Sequence, residues 1–131
     1  MRTSLIIAIA SAVMISLSSI FSTQKIPQVI FTAIENGDVR ELSAYFNQNV
    51  ELVVIDRTGV YNKTQAEIIL RDFFAGNKPV FFYIQDQSEQ INSSFAICHS
   101  ENEEGIKYTI FIQVRKFGGK SLITRLHIKK L

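Results

Sequence analysis

Asn49-Val-Glu-Leu-Val-Val-Ile-Asp56, Arg57-Thr-Gly59, Val60-Tyr-Asn-Lys63 and Thr64-Gln-Ala-Glu-Ile-Ile-Leu-Arg-Asp-Phe-Phe-Ala-Gly76 follow one another without a break. The first segment is dominated by β-branched residues and reads as a short strand. Its apolar side chains fall on both parities between Val50 and Ile55, which predicts cover on both faces. A tight turn is expected at Gly59, then a second short strand. Thr64 and Glu67 stand at capping-box spacing, so the Thr hydroxyl is placed to accept the third helical amide and the Glu to reach back. Ala66, Ile69, Leu70, Phe73 and Phe74 then recur at helical spacing and make one apolar face. Gly76 suits the left-handed residue that closes a helix, and Pro79 forbids continuation.

Upstream, Ile26, Val29, Ile30, Ala33 and Ile34 repeat the helical spacing. Pro27 suits the first turn of that helix, and Gly37 is a natural stop. Asp38 with Glu41 reads as the cap of a second helix whose apolar side is Val39, Leu42, Tyr45 and Phe46. Downstream of Pro79 the period changes to two. Val80 to Gln85, Phe95 to His99, Ile106 to Val114 and Leu122 to Ile128 read as strands, with Gly118-Gly119 a tight hairpin turn. Tyr108, Ile110, Ile112 and Val114 share one face, and Leu122, Leu126 and Ile128 share another. The predicted class is α+β, with three N-terminal helices packed on an antiparallel sheet. A twisted sheet of this length curls around its helices into a cone with a mouth at one end.

The 131 residues suffice for one domain and not two. Residues 1–22 stand apart from it. Arg2 is basic, Leu5 to Leu17 is almost wholly apolar, and small and hydroxyl residues follow up to Ser22. That is the pattern of a cleaved secretory signal, which leaves a single domain over 23–131, periplasmic or secreted. Ser16, Ser18, Ser19 and Ser22 dilute the run before the roughly 20 apolar residues of a membrane span, so no stable span is expected after cleavage. Cys98 is the one cysteine. It cannot form an intramolecular disulfide and reads as a buried small hydrophobe.

Charge is uneven. All 12 carboxylates lie at or before Glu104, whereas Lys107, Arg115, Lys116, Lys120, Arg125, Lys129 and Lys130 follow it. Aromatic interleaving of the nucleic-acid-binding type is missing, so these charges are expected beside acidic parts of the same molecule and no nucleic-acid partner is expected.

The order of elements, with Val-Glu-Leu-Val-Val-Ile-Asp, Gly-Val-Tyr-Asn-Lys-Thr-Gln-Ala and Ile-Leu-Arg-Asp-Phe-Phe, resembles the nuclear transport factor two-like superfamily from about Ile26 to Lys130. That superfamily has a cystatin-like cone and includes ketosteroid isomerases and polyketide cyclases. More narrowly, the chain is similar to a family of small exported Bacteroidetes-type proteins of unknown function. The resemblance implies an acid inside the cone where apolar walls shift its pKa, and Asp56 is the nearest candidate by position. Asp56-Arg57-Thr58-Gly59 is also an ordinary turn sequence, in which Asp bonds to its own backbone, and that is the preferred reading. No oxyanion pairing can be matched residue by residue, so no catalytic residue is carried over.

Tyr45, Tyr61, Tyr83 and Tyr108 could present hydroxyls to a pocket, and Tyr45, Asp56, Tyr61 and Tyr108 form the candidate pocket set. His99 and His127 lie on separate strands without a third ligand, so no metal and no cofactor are expected. Thr109, Phe111, Gln113 and Arg115 share a parity. With Ile123, Arg125 and His127 they predict a mixed aromatic and basic sheet face. Related cones often dimerise through such a face, so Phe111, Arg115, Ile123, Arg125 and His127 are the candidate interface for a homodimer. The expected function is a non-catalytic module that binds a small apolar molecule or peptide, or acts by interaction. The alternative is a small isomerase or cyclase using Asp56. A cone filled by Phe73, Phe74 and Phe82 would favour interaction through the outer sheet face.

Overall fold

The computed structural model describes residues 25–131. The predicted signal segment, 1–22, lies outside the described residues. Helix α1 (Gln28–Asn36) starts after Pro27 and ends at Gly37, whose φ of 65° is open to glycine at little cost. Asp38 Oδ1 accepts the Glu41 amide at 3.1 Å and caps helix α2 (Val39–Ser43). α2 is only five residues long. Tyr45 and Phe46, expected on that helix, therefore lie beyond it, and Phe46 already opens strand β1 (Phe46–Val54).

Val54 pairs with Arg57, so the turn to strand β2 (Arg57–Asn62) is Ile55-Asp56 and not Gly59, which lies within β2. Ile55 takes a φ of 56°, rare for a β-branched residue. The capping box of helix α3 (Lys63–Gly76) is set two residues earlier than expected. Asn62 Oδ1 accepts the Gln65 amide at 2.8 Å, and Gln65 Oε1 accepts the Asn62 amide at 3.2 Å. Asn62 and Gln65 keep the same three-residue spacing as Thr64 and Glu67, and the end of β2 leaves Asn62 in the extended backbone that a cap needs. Gly76 remains helical, and Asn77 follows it as the cap.

Strands β3 (Pro79–Glu89), β4 (Ser93–Asn102), β5 (Lys107–Phe117) and β6 (Lys120–Lys130) complete a six-stranded sheet in the order β2-β1-β6-β5-β4-β3. The sheet is mixed, not wholly antiparallel, because β1 and β6 run parallel. α3 carries the chain from β2 at one edge to β3 at the other. Three antiparallel steps then bring β6 back beside β1 in the same direction, a long-range pairing that no local pattern encodes. Gly118 and Gly119, with φ of 53° and 82°, make the tight β5–β6 turn.

One face of the sheet carries the core. Ile110, Ile112, Leu126 and Ile128 are sealed beneath Ile30, Ile34, Leu42 and Leu70 of the helices, each contributing about 1.5–3 kcal/mol on burial. β1 alternates instead of being covered on both sides: Val50, Leu52 and Val54 are buried, while Glu51 and Val53 are half-buried on the other face. Val114 pairs with Ile123 and Gln113 with Arg125, which leaves Thr124 as an extra residue in β6. Such a bulge exchanges the two faces. Ile123, expected on the outer face, is therefore fully buried, and Leu122, expected in the core row, is only half-buried.

Candidate functional site

Aromatic side chains pack between helix α3 and the sheet. Phe73 and Phe74 of α3 are buried and meet edge to face at 5.1 Å, and Tyr108 of β5 meets Phe73 in the same way at 5.2 Å, contacts worth about 0.5–1.5 kcal/mol each beyond burial. Phe82 packs half-buried against the core. The Tyr108 hydroxyl donates to Asn77 Oδ1 at 2.8 Å, and Asn102 Nδ2 donates to the same oxygen at 3.0 Å. Asn77 Nδ2 donates to the Phe73 carbonyl at 3.0 Å. Asn102 Oδ1 accepts the amides of Glu104 and Ile106 at 3.0 and 2.9 Å. The end of α3 is thus tied to the β4–β5 connection. Burial, and after it the Glu104 carboxylate, push the Tyr108 phenol above its ordinary pKa.

The candidate pocket set does not converge. Tyr108 is sealed into that network. Tyr61 is half-buried against the core. Tyr45 lines a shallow hollow with Pro27 and Leu122. Asp56 is exposed on the Ile55-Asp56 turn, at the rim of a separate hollow of about 190 Å³ whose other walls include Arg57, Ile69, Asp72 and Phe73. Arg57 Nη2 lies 3.8 Å from Asp72 Oδ2 there, a solvent-exposed pair of small worth.

The outer face of the sheet is organised differently. Cross-strand pairing places Ile97, Phe111, His127 and Val53 in one row, and Phe95, Gln113, Arg125 and Glu51 in the next. Phe111 sits 6.0 Å from Phe95 and 5.7 Å from His127 between ring centres. Arg125 Nε lies 2.6 Å from Glu51 Oε2 as an ion pair, and His127 Nε2 is 3.7 Å from the same oxygen. Gln113 Oε1 and His127 Nε2 are shielded from solvent without a hydrogen-bond partner among the described residues. A depression of about 350 Å³ lies over Ile97, Thr109, Phe111, His127 and Lys129. Toward β3, Tyr83 stacks on His99 at 5.1 Å, and His99 bonds to Gln85. Of the candidate interface residues, Phe111, Arg125 and His127 meet on this face. Arg115 lies toward its end, opposite Leu122, and Ile123 is on the opposite side.

Cys98 is sealed in the core, and burial pushes its thiol up to about 12. Among the described residues no group of three or more His, Cys, Asp or Glu side chains is arranged to hold a metal, and no helix is long and apolar enough to cross a membrane. Sequence reasoning missed Asn77 and Asn102, since isolated asparagines in connecting segments read as ordinary turn residues. It also missed Phe95, although its alternation with the buried Ala96 and Cys98 was available as a signal.

A family model described as a domain of unknown function, DUF4783, matches residues 27–129. The crystal structure of a DUF4783 family protein from Bacteroides ovatus is similar at 30% identity with a TM-score of 0.77, covering 82% of this chain and 97% of that one. One from Bacteroides fragilis has 29% identity and a TM-score of 0.76, covering 82% and 100%. A protein of the NTF2-like family from Streptomyces avermitilis, at 14% identity, TM-score 0.60 and coverage of 79% and 89%, shares the fold alone. No curated protein matches the chain.

Proposed function

The chain belongs to the DUF4783 family, and from that premise we propose that it is an exported, non-catalytic interaction domain acting through the outer face of its sheet, with a second copy of itself as the partner. The observation that carries this reading is the row Ile97–Phe111–His127, an apolar and aromatic strip flanked by charge and by shielded polar atoms without hydrogen-bond partners among the described residues. A two-fold related copy would bring the adjacent Glu51 and Arg125 of one face opposite those of the other, where opposite charges pair. The buried aromatic cluster of Phe73, Phe74 and Tyr108 supports the same reading, because it takes up space between helix and sheet that a ligand would need. Asp56 is exposed on a turn, in a hollow whose lining includes none of the candidate tyrosines.

We read the sheet as curled around the helices into a cone, with the extra residues in β3 and β6 as the points where strands bend. We place the mature chain outside the cytoplasm, beginning at Thr23, on the strength of the Leu5 to Leu17 run.

The test is sedimentation equilibrium and native mass spectrometry of the chain recovered from its export compartment. Support is an assembly larger than a monomer for the wild type, weaker association for Phe111→Glu with an unchanged unfolding midpoint, and an N-terminus at Thr23. A monomer at every accessible concentration overturns the interaction reading. So does a co-purified small molecule released on denaturation, which would mean that the protein holds a ligand.

A further inference from the structure

β3 stands at one edge of the sheet, and among the described residues it pairs only with β4. Its other side presents unpaired backbone N–H and C=O groups, a template for another strand. The opposite edge, β2, is short at six residues, whereas β3 has 11. Edges are ordinarily blunted by charge, proline or shortness. β3 carries proline, charge and two bulges, which also blunt edges, but all of them flank the run from Phe81 to Ile84. Between Pro79 and Asp86 every residue is apolar or neutral, and Val80, Phe81 and Tyr83 are 55%, 68% and 59% exposed. Phe82 and Ile84 face the helix side and are only half-buried, so the core stops short of covering them. An extended partner alongside β3 would shield side chains on both faces of the sheet at once.

The pairing with β4 skips one residue between Pro79 and Phe81 and another between Ile84 and Asp86, so Phe81 to Ile84 is a regular run between two bulges. The run has charge at both ends, Lys78 before it and Asp86 after it. We propose that this edge pairs antiparallel with the same edge of a second copy, with the two-fold at Phe82, joining two sheets into one. In that register Phe81 faces Tyr83 of the second copy, the Pro79-Val80 bulge faces Ile84, and Lys78 falls one rung further on, opposite Asp86. Like side chains meet like, and each end places opposite charges together. The edge adjoins the Phe111–His127 face, since Asp86 pairs with Ile97 and Tyr83 stacks on His99, so the outer-face contact is removed before the edge is tested.

The experiment is sedimentation velocity in the Phe111→Glu background, which removes the outer-face contact and leaves the edge to be read alone. The pairing predicts concentration-dependent dimers that Val80→Lys weakens by about tenfold or more, since it puts charge beside Ile84 at a position already exposed in the monomer. Lys78→Asp and Asp86→Lys each weaken association, and the two together restore it. Amides of Phe81 to Ile84 become protected from hydrogen exchange as concentration rises. Unfolding midpoints in dilute solution show whether each variant remains folded. The proposal is overturned if the Phe111→Glu protein stays monomeric, if Val80→Lys changes nothing, if the charge exchange fails to restore association, or if the β3 amides exchange at the same rate at every concentration.

Discussion

Replacing Asn77 with alanine is expected to destabilise the protein by about 2–5 kcal/mol, although the side chain touches no surface feature of interest. The magnitude follows from what is left behind. Asn77 Oδ1 accepts two hydrogen bonds, from Tyr108 and Asn102. Both donors are on residues only 5% and 4% exposed, and a buried donor without a partner costs about 1–3 kcal/mol. The lost bond from Asn77 Nδ2 to the Phe73 carbonyl adds a smaller amount at the helix end. Against a total stability of about 5–15 kcal/mol, a loss of 3 kcal/mol lowers the midpoint of a domain this size by roughly 10–15 °C. Urea unfolding followed by far-ultraviolet circular dichroism measures it, and an unchanged m-value keeps the comparison valid. Tyr108→Phe supplies the check. Alone it removes a donor without orphaning one and costs about 1 kcal/mol or less. Combined with Asn77→Ala it recovers roughly 1 kcal/mol, because the unpaired hydroxyl is gone. A loss below about 0.5 kcal/mol for Asn77→Ala, or strict additivity of the pair, would refute the reasoning.

Ile55→Asn should raise stability by about 0.5–1 kcal/mol, since asparagine tolerates the left-handed backbone that isoleucine adopts here at a φ of 56°; a lower urea midpoint would count against the strain. Cys98 should resist iodoacetamide in the folded state, its thiol buried and raised to about 12, and react only as fast as the molecule opens, so that labelling rates rise with urea. Tyr108 binds its proton more tightly folded than unfolded. Its contribution is therefore fully present below an unfolded pKa of about 10 and is lost as pH rises from there through the folded value. Tyr108→Phe should flatten the alkaline limb of the stability curve, and an unchanged slope above about pH 10 would contradict the assignment.

The helices were legible because their signals are local. Gly37, Asp38 and the Ala66 to Phe74 stripe each need only a few neighbours to be read. Asn62 displaced Thr64 as a cap because two overlapping pairs had the same spacing, and only the end of β2 chose between them. Strand faces were legible until a bulge intervened. Parity places Tyr108 to Val114 correctly, but one extra residue at Thr124 moves Ile123 into the core. Parallel pairing of β1 with β6 and the meeting of Asn77 with Asn102 are contacts between distant segments, and no short window contains them. The candidate site follows the same division. Phe111, Arg125 and His127 could be grouped from alternation within β5 and β6, whereas Glu51, which pairs with Arg125, enters only through the parallel contact.

β6 follows the other described strands in the chain, yet it is not an edge: it lies between β1 and β5. Until it is in place the rest of the chain holds two incomplete sheets, β2-β1 with α3 on one side and β5-β4-β3 on the other, each with a row of open backbone groups. A ribosome feeding out this chain from its amino end therefore cannot deliver a finished half-molecule. Joining the two parts requires β6 to find β1 across most of the chain, a long-range pairing of the kind that slows folding. A stop codon anywhere before Ile123 would leave the earlier strands without the seam that joins them, so premature products of this gene should be recognised as unfolded instead of persisting as stable fragments.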